Sequence, residues 1–305
     1  MYKVVLALPT SSGKEKIEKW ILNIKKELPT LPDNFFQVNI LIGLNGKNTV
    51  FASDQNFIQL CAHENIEIFI SNTNGKNNCI NEMVKHCKSL KYDIIHFFDD
   101  DIFPESNAIK INLETLVKYS KVPILVGSNF YVKKEGLSVL QKILYAPYQI
   151  DSDYNDFVAG YSNCTWLSYY PILPSTNTQI AEDSYINIYF AQLGDSTNSI
   201  IKPRNSIVYF EAYNSYKDWF WTQVRTYVGI EFSFLIFGTD YFKFQNLFSW
   251  RYAEDKRFRV KKRKLGFFPF IKLIFFRMFQ HRVYKEGQKV LLKSEEMEWN
   301  NNAKN

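Results

Sequence analysis

Cysteine is scarce in this chain of 305 residues, and its four cysteines follow no recognisable pattern. Cys61, Cys79, Cys87 and Cys164 form no Cys-X-X-Cys pair and no zinc-binding spacing with the four histidines. We therefore expect free thiols in a reducing compartment, without a structural zinc ion.

Long apolar runs are also missing. No stretch of about 18 uncharged apolar residues occurs, so the sequence predicts no membrane-spanning helix. The apolar run over residues 3–8 is too short for a signal peptide and has the composition of a first strand. Hydrophobic residues nevertheless make up 46% of the chain and charged residues 22%, which excludes general disorder and predicts a large α/β domain or a domain with an appendage.

Charge is distributed unevenly along the chain. Residues 251–293 contain 14 Lys or Arg and 3 Asp or Glu, a net charge of +11, so the rest of the chain carries −5 of the total of +6. A basic segment on a mildly acidic body indicates an anionic partner surface, for which a membrane and a nucleic acid are the candidates.

Hydrophobic periodicity predicts alternating strands and helices over the first 130 residues. We expect buried strands at 3–8, 38–44, 66–70, 94–98 and 123–127, and helices at 14–28, 53–64, 74–87 and 107–119. This βαβ order predicts a mainly parallel sheet flanked by helices, with ligands bound beyond the carboxyl ends of the strands.

Three adjacent aspartates, Asp99, Asp100 and Asp101, follow the fourth predicted strand. Adjacent carboxylates repel one another, so a bound cation would stabilise them. Asp99 and Asp101 have the Asp-X-Asp spacing that can hold Mn²⁺ or Mg²⁺ together with substrate phosphates. The alternative is a solvated acidic turn that caps the helix after it.

Two further acids, Glu182 and Asp183, lie in the first turn of a helix predicted over 181–190. Either carboxylate could act as a general base. The alternative is that both only stabilise the positive end of the helix dipole.

The motifs in this order resemble those of the family 2 glycosyltransferases, nucleotide-sugar enzymes with the GT-A fold. The resemblance covers roughly residues 3–230. Its matching segments are 5–10 (opening strand and loop), 40–46 (strand and nucleotide-binding turn), 74–81 (Gly-Lys helix start), 97–104 (Asp-X-Asp motif) and Glu182-Asp183. It implies a Rossmann-like, mainly parallel sheet flanked by helices.

The resemblance also implies a domain organisation. Residues 1–250 would form the GT-A domain, with a nucleotide-binding half over about 1–130 and an acceptor half over about 131–250. Residues 251–305 would form a basic, aromatic tail with an amphipathic helix.

Site residues follow from the resemblance by position. Asp183 would be the catalytic base of an inverting displacement, with Glu182 beside it, and Asp99 and Asp101 would hold Mn²⁺ or Mg²⁺. The implied contacts to the nucleotide-sugar donor are Pro9, Asn45, Lys76, Asp99 and Asp100. Asn45 stands where the family has an acid.

One motif departs from the family pattern. Processive members carry Gln-X-X-Arg-Trp after the base, whereas this chain has Gln223 and Arg225 in Gln-X-Arg spacing, followed by a tyrosine at position 227. The departure favours non-processive transfer. Gln223 and Arg225 would contact the acceptor or a phosphate, with a plain surface arginine as the alternative.

The tail predicts a membrane partner. A basic run over 256–264 precedes the apolar stretch 267–279, which Lys272 and Arg277 interrupt, and this pattern is typical of an interfacial helix on anionic lipid. The alternative is a helix packed on the domain. The tail predicts a position at the cytoplasmic face of the cell membrane, without nucleic acid as a partner. The resemblance to family 2 implies an acceptor that is a saccharide or lipid-linked saccharide, in surface polysaccharide or glycolipid synthesis.

Two other functions fit parts of the sequence. A nucleotidyltransferase also uses an α/β sheet and metal-binding carboxylates, but the Gly- and Arg-rich first loop of such enzymes is absent between Pro9 and Lys16. A peripheral membrane scaffold with a decayed site is the non-enzymatic alternative, and Asn45 in place of an acid favours it slightly.

Overall fold

The computed structural model describes residues 1–119, 122–133, 135–146, 159–160, 162–175, 182–194, 199–238 and 267–302. The chain divides into two compact units. The first comprises residues 1–131, 155–176 and 189–211, and the second comprises residues 132–154, 177–188 and 212–305.

The described residues include ten β-strands. They are β1 (Tyr2–Thr10), β2 (Phe36–Leu44), β3 (Ile66–Ile70), β4 (Ile94–Phe98), β5 (Ile102–Pro104), β6 (Leu125–Gly127), β7 (Asn129–Val132), β8 (Ser162–Trp166), β9 (Ile200–Ile201) and β10 (Ile207–Phe210).

Eight α-helices lie in the same part of the chain. They are α1 (Lys14–Glu27), α2 (Gln55–His63), α3 (Lys76–Ser89), α4 (Ala108–Lys118), α5 (Val139–Leu144), α6 (Glu182–Leu193), α7 (Tyr216–Phe237) and α8 (Phe267–Asn302).

A seven-stranded sheet in the order β3-β2-β1-β4-β8-β6-β9 forms the centre of the first unit. Strand β1 pairs in parallel with β2 and β4, and β2 pairs in parallel with β3. Only β8 runs against its neighbours, since it pairs antiparallel with β4 and β6. The mainly parallel sheet is therefore confirmed, and β1 to β4 lie within two residues of the strands predicted for the first 100 residues. A smaller sheet has the order β5-β10-β7.

Burial explains why these segments form strands and helices. The interior of β1 and all of β4 are buried, as continuous apolar runs in a sheet covered on both faces require. Helix α1 buries Ile17, Trp20, Ile21 and Ile24, which recur at helical spacing on one face. Gly43 in β2 allows α3 to approach closely, because a Cβ there would collide with the Met83 side chain.

A buried polar residue of β4, His96, connects this strand to its neighbours. His96 is fully buried and stacks on Phe98 with ring centroids 4.2 Å apart. Its Nε2 lies 3.0 Å from Ser162 Oγ on β8, and Ser128 connects Ser162 to Asn112 of α4. Burial lowers the pKa of His96 to about 3, so the ring is neutral at physiological pH. This network joins β4 to β8 and α4 just before the aspartate triplet.

The second unit contains a parallel pair of long helices, α7 and α8. Trp219 of α7 packs on Phe276 of α8 (ring centroids 6.3 Å apart), and one side of Gly287 lies against the Tyr227 ring two turns further along. Gln288 Nε2 donates to Tyr227 Oη at 2.5 Å. The buried residues of α8 recur at intervals of three and four, which is the spacing of one helix face; they include Leu273, Phe276, Gln280 and Val283.

The structure bears on both expectations for the tail. The predicted helix is present, begins at Phe267 and continues far beyond Phe279. One of its faces packs on α7, as the packed alternative proposed. The basic run over 256–264 lies outside the described residues. No helix in the described ranges is long and apolar enough to span a membrane.

Candidate active site

The carboxyl ends of β1 to β4 bring polar residues to one edge of the main sheet. Thr10 ends β1, Asn45 and Ser71 follow β2 and β3, and Asp99 follows β4. The backbone N–H of Asn45 donates to the Thr10 carbonyl at 3.2 Å, and that of Ser71 donates to the Leu44 carbonyl at 3.0 Å. These two hydrogen bonds continue the β1–β2 and β2–β3 pairing into the loops, which positions the backbone at this edge.

Asn45 offers a buried acceptor at this edge. The residue is 6% exposed, and its side-chain Oδ1 has no hydrogen-bond partner among the described residues. An unsatisfied buried oxygen is costly, so an N–H or O–H donor from a ligand would stabilise it. Pro9, by contrast, is buried inside β1 opposite Gly43. The predicted contact of Pro9 and Asn45 with the nucleotide-sugar donor stays a prediction.

Glu82 of α3 fixes the loop between β3 and α3. Its carboxylate accepts from Asn72 N at 2.8 Å and Thr73 Oγ1 at 2.6 Å. Burial by itself would raise the pKa of Glu82. The hydrogen bonds from Thr73 and Asn72 outweigh burial, so the pKa of Glu82 lies below its ordinary value. The loop ends at Gly75, whose φ of 110° suits glycine, and Lys76 is the first residue of α3.

Asp100 is held by the loop after β1. It accepts from Thr10 Oγ1 at 2.6 Å and pairs with Lys16 Nζ at 3.0 Å. Burial raises the pKa of Asp100, but hydrogen bonds from Ser12 and Thr10 and the Lys16 charge outweigh it, so the net shift is downward. The middle aspartate therefore anchors the β1–α1 loop to the end of β4.

Asp99 and Asp101 differ from their neighbour. Asp99 Oδ1 lies 2.5 Å from Lys76 Nζ. Burial raises the pKa of Asp101 and the Asp100 charge adds to that rise, although Lys16 and Lys76 oppose it. A nearby divalent cation would stabilise the charged form of Asp101, and carboxylate oxygens are the ligands that Mg²⁺ and Mn²⁺ prefer. The predicted Asp99–Asp101 pair thus suits a divalent ion chemically.

The predicted catalytic acids begin α6. Glu182 and Asp183 are half-buried in its first turn, and the buried Asn187 donates from Nδ2 to the Asp183 carbonyl at 2.6 Å. Tyr185 packs on Phe237 of α7 with ring centroids 4.7 Å apart. These contacts hold the first turn in the second unit. The positive end of the helix dipole lies at this turn, which is a favourable place for negative charge.

Gln223 and Arg225 lie in the middle of α7. Gln223 is half-buried and Arg225 is exposed. Residues two apart on a helix point in different directions, so the two side chains do not form one site on this helix. Their predicted contact with acceptor or phosphate is untested.

Sequence reasoning missed the residues that organise this edge. Ser12 and Lys16 bind Asp100, and Glu82 holds the neighbouring loop. The sequence could have indicated Ser12 and Lys16, because they lie in the loop and first helical turn after β1, at the same sheet edge as the triplet. Nothing local distinguishes Glu82 from a surface acid, since its partners come from another segment.

Comparisons with known proteins identify the fold. The chain matches no protein-family model and no curated protein. Its structure is similar to a mannosyltransferase from Pyrobaculum calidifontis in complex with GDP-Man and Mn²⁺, with a TM-score of 0.54 and 12% identity over 95% of this chain and 84% of that one. At this identity the similarity shows a shared fold, and it confirms the predicted GT-A fold.

Two further solved structures match with lower TM-scores. Mannosyl-3-phosphoglycerate synthase from Rubrobacter xylanophilus has a TM-score of 0.48 and 11% identity over 87% of this chain and 77% of that one. Glucosyl-3-phosphoglycerate synthase from Mycobacterium tuberculosis, in complex with Mn²⁺, UDP and glucosyl-3-phosphoglycerate, has a TM-score of 0.44. Its identity is 14% over 71% of this chain and 74% of that one.

Proposed function

We propose that this protein is a metal-dependent glycosyltransferase that uses a nucleotide-sugar donor. The observation that carries the proposal is one edge of the sheet of a GT-A fold. Asn45 follows β2 and the aspartate triplet follows β4, the two neighbours of β1, and Lys76 at the start of α3 pairs with Asp99. This edge supplies oxygen ligands for a cation, an ammonium group for a diphosphate and a buried acceptor for the nucleotide.

The proposed reaction is one inverting displacement at the anomeric carbon. Asp183 would take the proton from the attacking acceptor hydroxyl, with Glu182 beside it. Asp99 and Asp101 would hold Mn²⁺ or Mg²⁺, whose charge stabilises the departing diphosphate. The resemblance to family 2 and the position of both acids in the first turn of α6 support these roles.

The acceptor is proposed to be a saccharide or a lipid-linked saccharide, extended by one sugar at a time. The absence of the Gln-X-X-Arg-Trp motif in the sequence supports non-processive transfer. Synthesis of a surface polysaccharide or glycolipid at the cytoplasmic face of the membrane is the setting we propose.

A donor assay tests the proposed activity. With Mn²⁺ present, we expect at least one sugar conjugate of UDP or GDP to raise the unfolding temperature and to be hydrolysed slowly to free sugar, since a ligand of the native state stabilises it. EDTA should remove both effects. Release of pyrophosphate from a nucleoside triphosphate would instead identify a nucleotidyltransferase, and a lack of response to every nucleotide would favour the scaffold alternative.

Membrane association is proposed for the second unit. Helix α8 has a second apolar surface beside its packed face, where Phe275 is 45% exposed and Met278 is 55% exposed. Lys272 and Arg277 lie in the same turns. Exposed apolar side chains between cations match the composition of helices that lie on anionic lipid, where each cation contributes about 1 kcal/mol.

Liposome sedimentation tests this surface without removing the helix. We expect Phe275→Ser with Met278→Ser to weaken binding to vesicles that contain phosphatidylserine by about thirtyfold or more, since each of the two buried apolar side chains contributes on the order of 1 kcal/mol or more. Leu292→Ser is the matched control, because Leu292 is 59% exposed on the same helix but more than three turns away. Equal sedimentation of wild type and double variant would contradict the proposal.

A further inference from the structure

Lys76 pairs with a carboxylate that is proposed as a metal ligand. Its Nζ lies 2.5 Å from Asp99 Oδ1. The side chain of Lys76 is 38% exposed and that of Asp99 is 22% exposed, so the pair is partly shielded from water. The lysine is the first residue of α3, and its backbone is fixed by the anchored loop before it.

An ammonium group and a divalent cation compete for this carboxylate. A divalent ion on either oxygen of Asp99 would lie within a few ångströms of the Lys76 ammonium group, where like charges in a partly desolvated site repel strongly. A divalent ion that takes Asp99 as a ligand therefore weakens the Lys76–Asp99 pair and favours departure of the lysine. The displaced ammonium then needs a new anion close to its first position.

We propose that Lys76 is an exchangeable cation that couples metal binding to diphosphate binding. Without a donor, Lys76 neutralises Asp99 and keeps the affinity for the free metal ion low. When a nucleoside diphosphate arrives, Lys76 moves from Asp99 to a phosphate oxygen, and the divalent ion takes its place on the carboxylate. The inference rests on the proposed function, because it assumes that Asp99 is a metal ligand.

The coupling is reciprocal by thermodynamic necessity. If a diphosphate raises the affinity for the metal ion by some factor, the metal ion raises the affinity for the diphosphate by the same factor. Coupling between two sites is typically 5- to 150-fold. In this chain the coupling would protect the site from loading with a metal ion alone.

Lys16 supplies a control of equal charge at the same triplet. It pairs with Asp100 at 3.0 Å, and Asp100 also accepts from Thr10 and Ser12. Asp100 is not part of the proposed metal-binding pair. Removing Lys16 therefore deletes one positive charge that also acts on Asp101, but it leaves the Lys76–Asp99 pair in place.

The test is a titration with Mn²⁺ followed by electron paramagnetic resonance, with and without UDP or GDP, whichever binds. For the wild type we expect the diphosphate to raise the Mn²⁺ affinity at least tenfold. In Lys76→Gln, Mn²⁺ alone should bind about tenfold more tightly than in the wild type, and the diphosphate effect should shrink below threefold. Lys76→Arg should retain most of the coupling. Lys16→Gln should bind Mn²⁺ alone less than threefold more tightly than the wild type, because only a nearby charge is lost, and should keep a diphosphate effect of at least fivefold.

Each other outcome overturns the proposal in an identifiable way. Equal gains in Mn²⁺ affinity in Lys76→Gln and Lys16→Gln would mean that only net charge matters. Unchanged coupling in Lys76→Gln would mean that Lys76 is no competitor, while the glycosyltransferase proposal would stand. No Mn²⁺ binding by the wild type with either diphosphate would remove the metal site itself. Matching unfolding temperatures in the absence of ligands would show that the variants are folded.

Discussion

Replacement of Asp183 by asparagine is expected to reduce sugar transfer by about 10²–10⁴-fold, the contribution typical of a positioned general base. Asparagine keeps the size of the side chain but cannot accept the proton of the acceptor hydroxyl. The Asn187 bond to the backbone carbonyl of residue 183 does not depend on the side chain, so α6 should remain intact. Donor binding should change less than threefold.

Glu182→Gln is the matched control for this experiment. Glu182 lies in the same first turn, so its replacement removes the same charge from the positive end of the helix dipole. Steady-state rates with saturating donor would separate the two acids. Full transfer activity in Asp183→Asn would refute the base assignment, and a larger loss in Glu182→Gln would transfer the role to that residue.

Replacement of Asp101 by alanine is expected to remove metal-dependent nucleotide binding. Burial and the neighbouring Asp100 charge raise the pKa of Asp101 despite Lys16 and Lys76, so a bound divalent cation would stabilise its charged form. Loss of a metal ligand should weaken nucleotide binding in Mn²⁺ by about 100-fold or more, since even groups outside the ligand shell contribute about 10–100-fold to metal affinity. EDTA should have the same effect on the wild type.

Isothermal titration calorimetry with and without Mn²⁺ checks this prediction. Glu105→Gln is a suitable control, because Glu105 is an exposed acid four residues further along the chain. Nucleotide affinity that is the same in wild type, in Asp101→Ala and after EDTA treatment would refute the metal site. A loss of affinity in Glu105→Gln as well would indicate a general effect of charge.

The first half of the fold could be predicted because its signals are local. Strands β1, β2, β3 and β4 are apolar runs of strand length, and α1 shows its buried face as helical periodicity. Beyond residue 130 the strands are short and pair with distant segments. Strand β9 has two residues, and it pairs with β6 across more than 70 positions, so no local pattern could indicate it.

The candidate site divides in the same way. The acids at the end of β4 could be identified from spacing, because a triplet after a strand is visible in the sequence. Their different environments could not. Asp100 is bound by the β1–α1 loop and Asp99 by the start of α3, and both partners come from elements that only the parallel sheet brings together.

The tail shows the limit of composition as a guide. Its apolar and basic residues fitted both an interfacial helix and a packed helix. The structure places one face of α8 on α7, around Tyr227 and Gly287, and leaves Phe275 and Met278 exposed. Helical periodicity alone could not indicate which face of α8 is buried, because both faces contain large apolar side chains. The division of the chain at residue 250 stays a prediction.

The sequence by itself therefore determined the fold class, the positions of the first four strands along the chain and the position of the aspartate triplet, because apolar periodicity and adjacent charges are properties of short segments. Only the tertiary structure decided which cation each aspartate contacts and which face of α8 is buried. Those properties depend on pairs of groups far apart in the chain, and their distances are set by the packing of the sheet and helices.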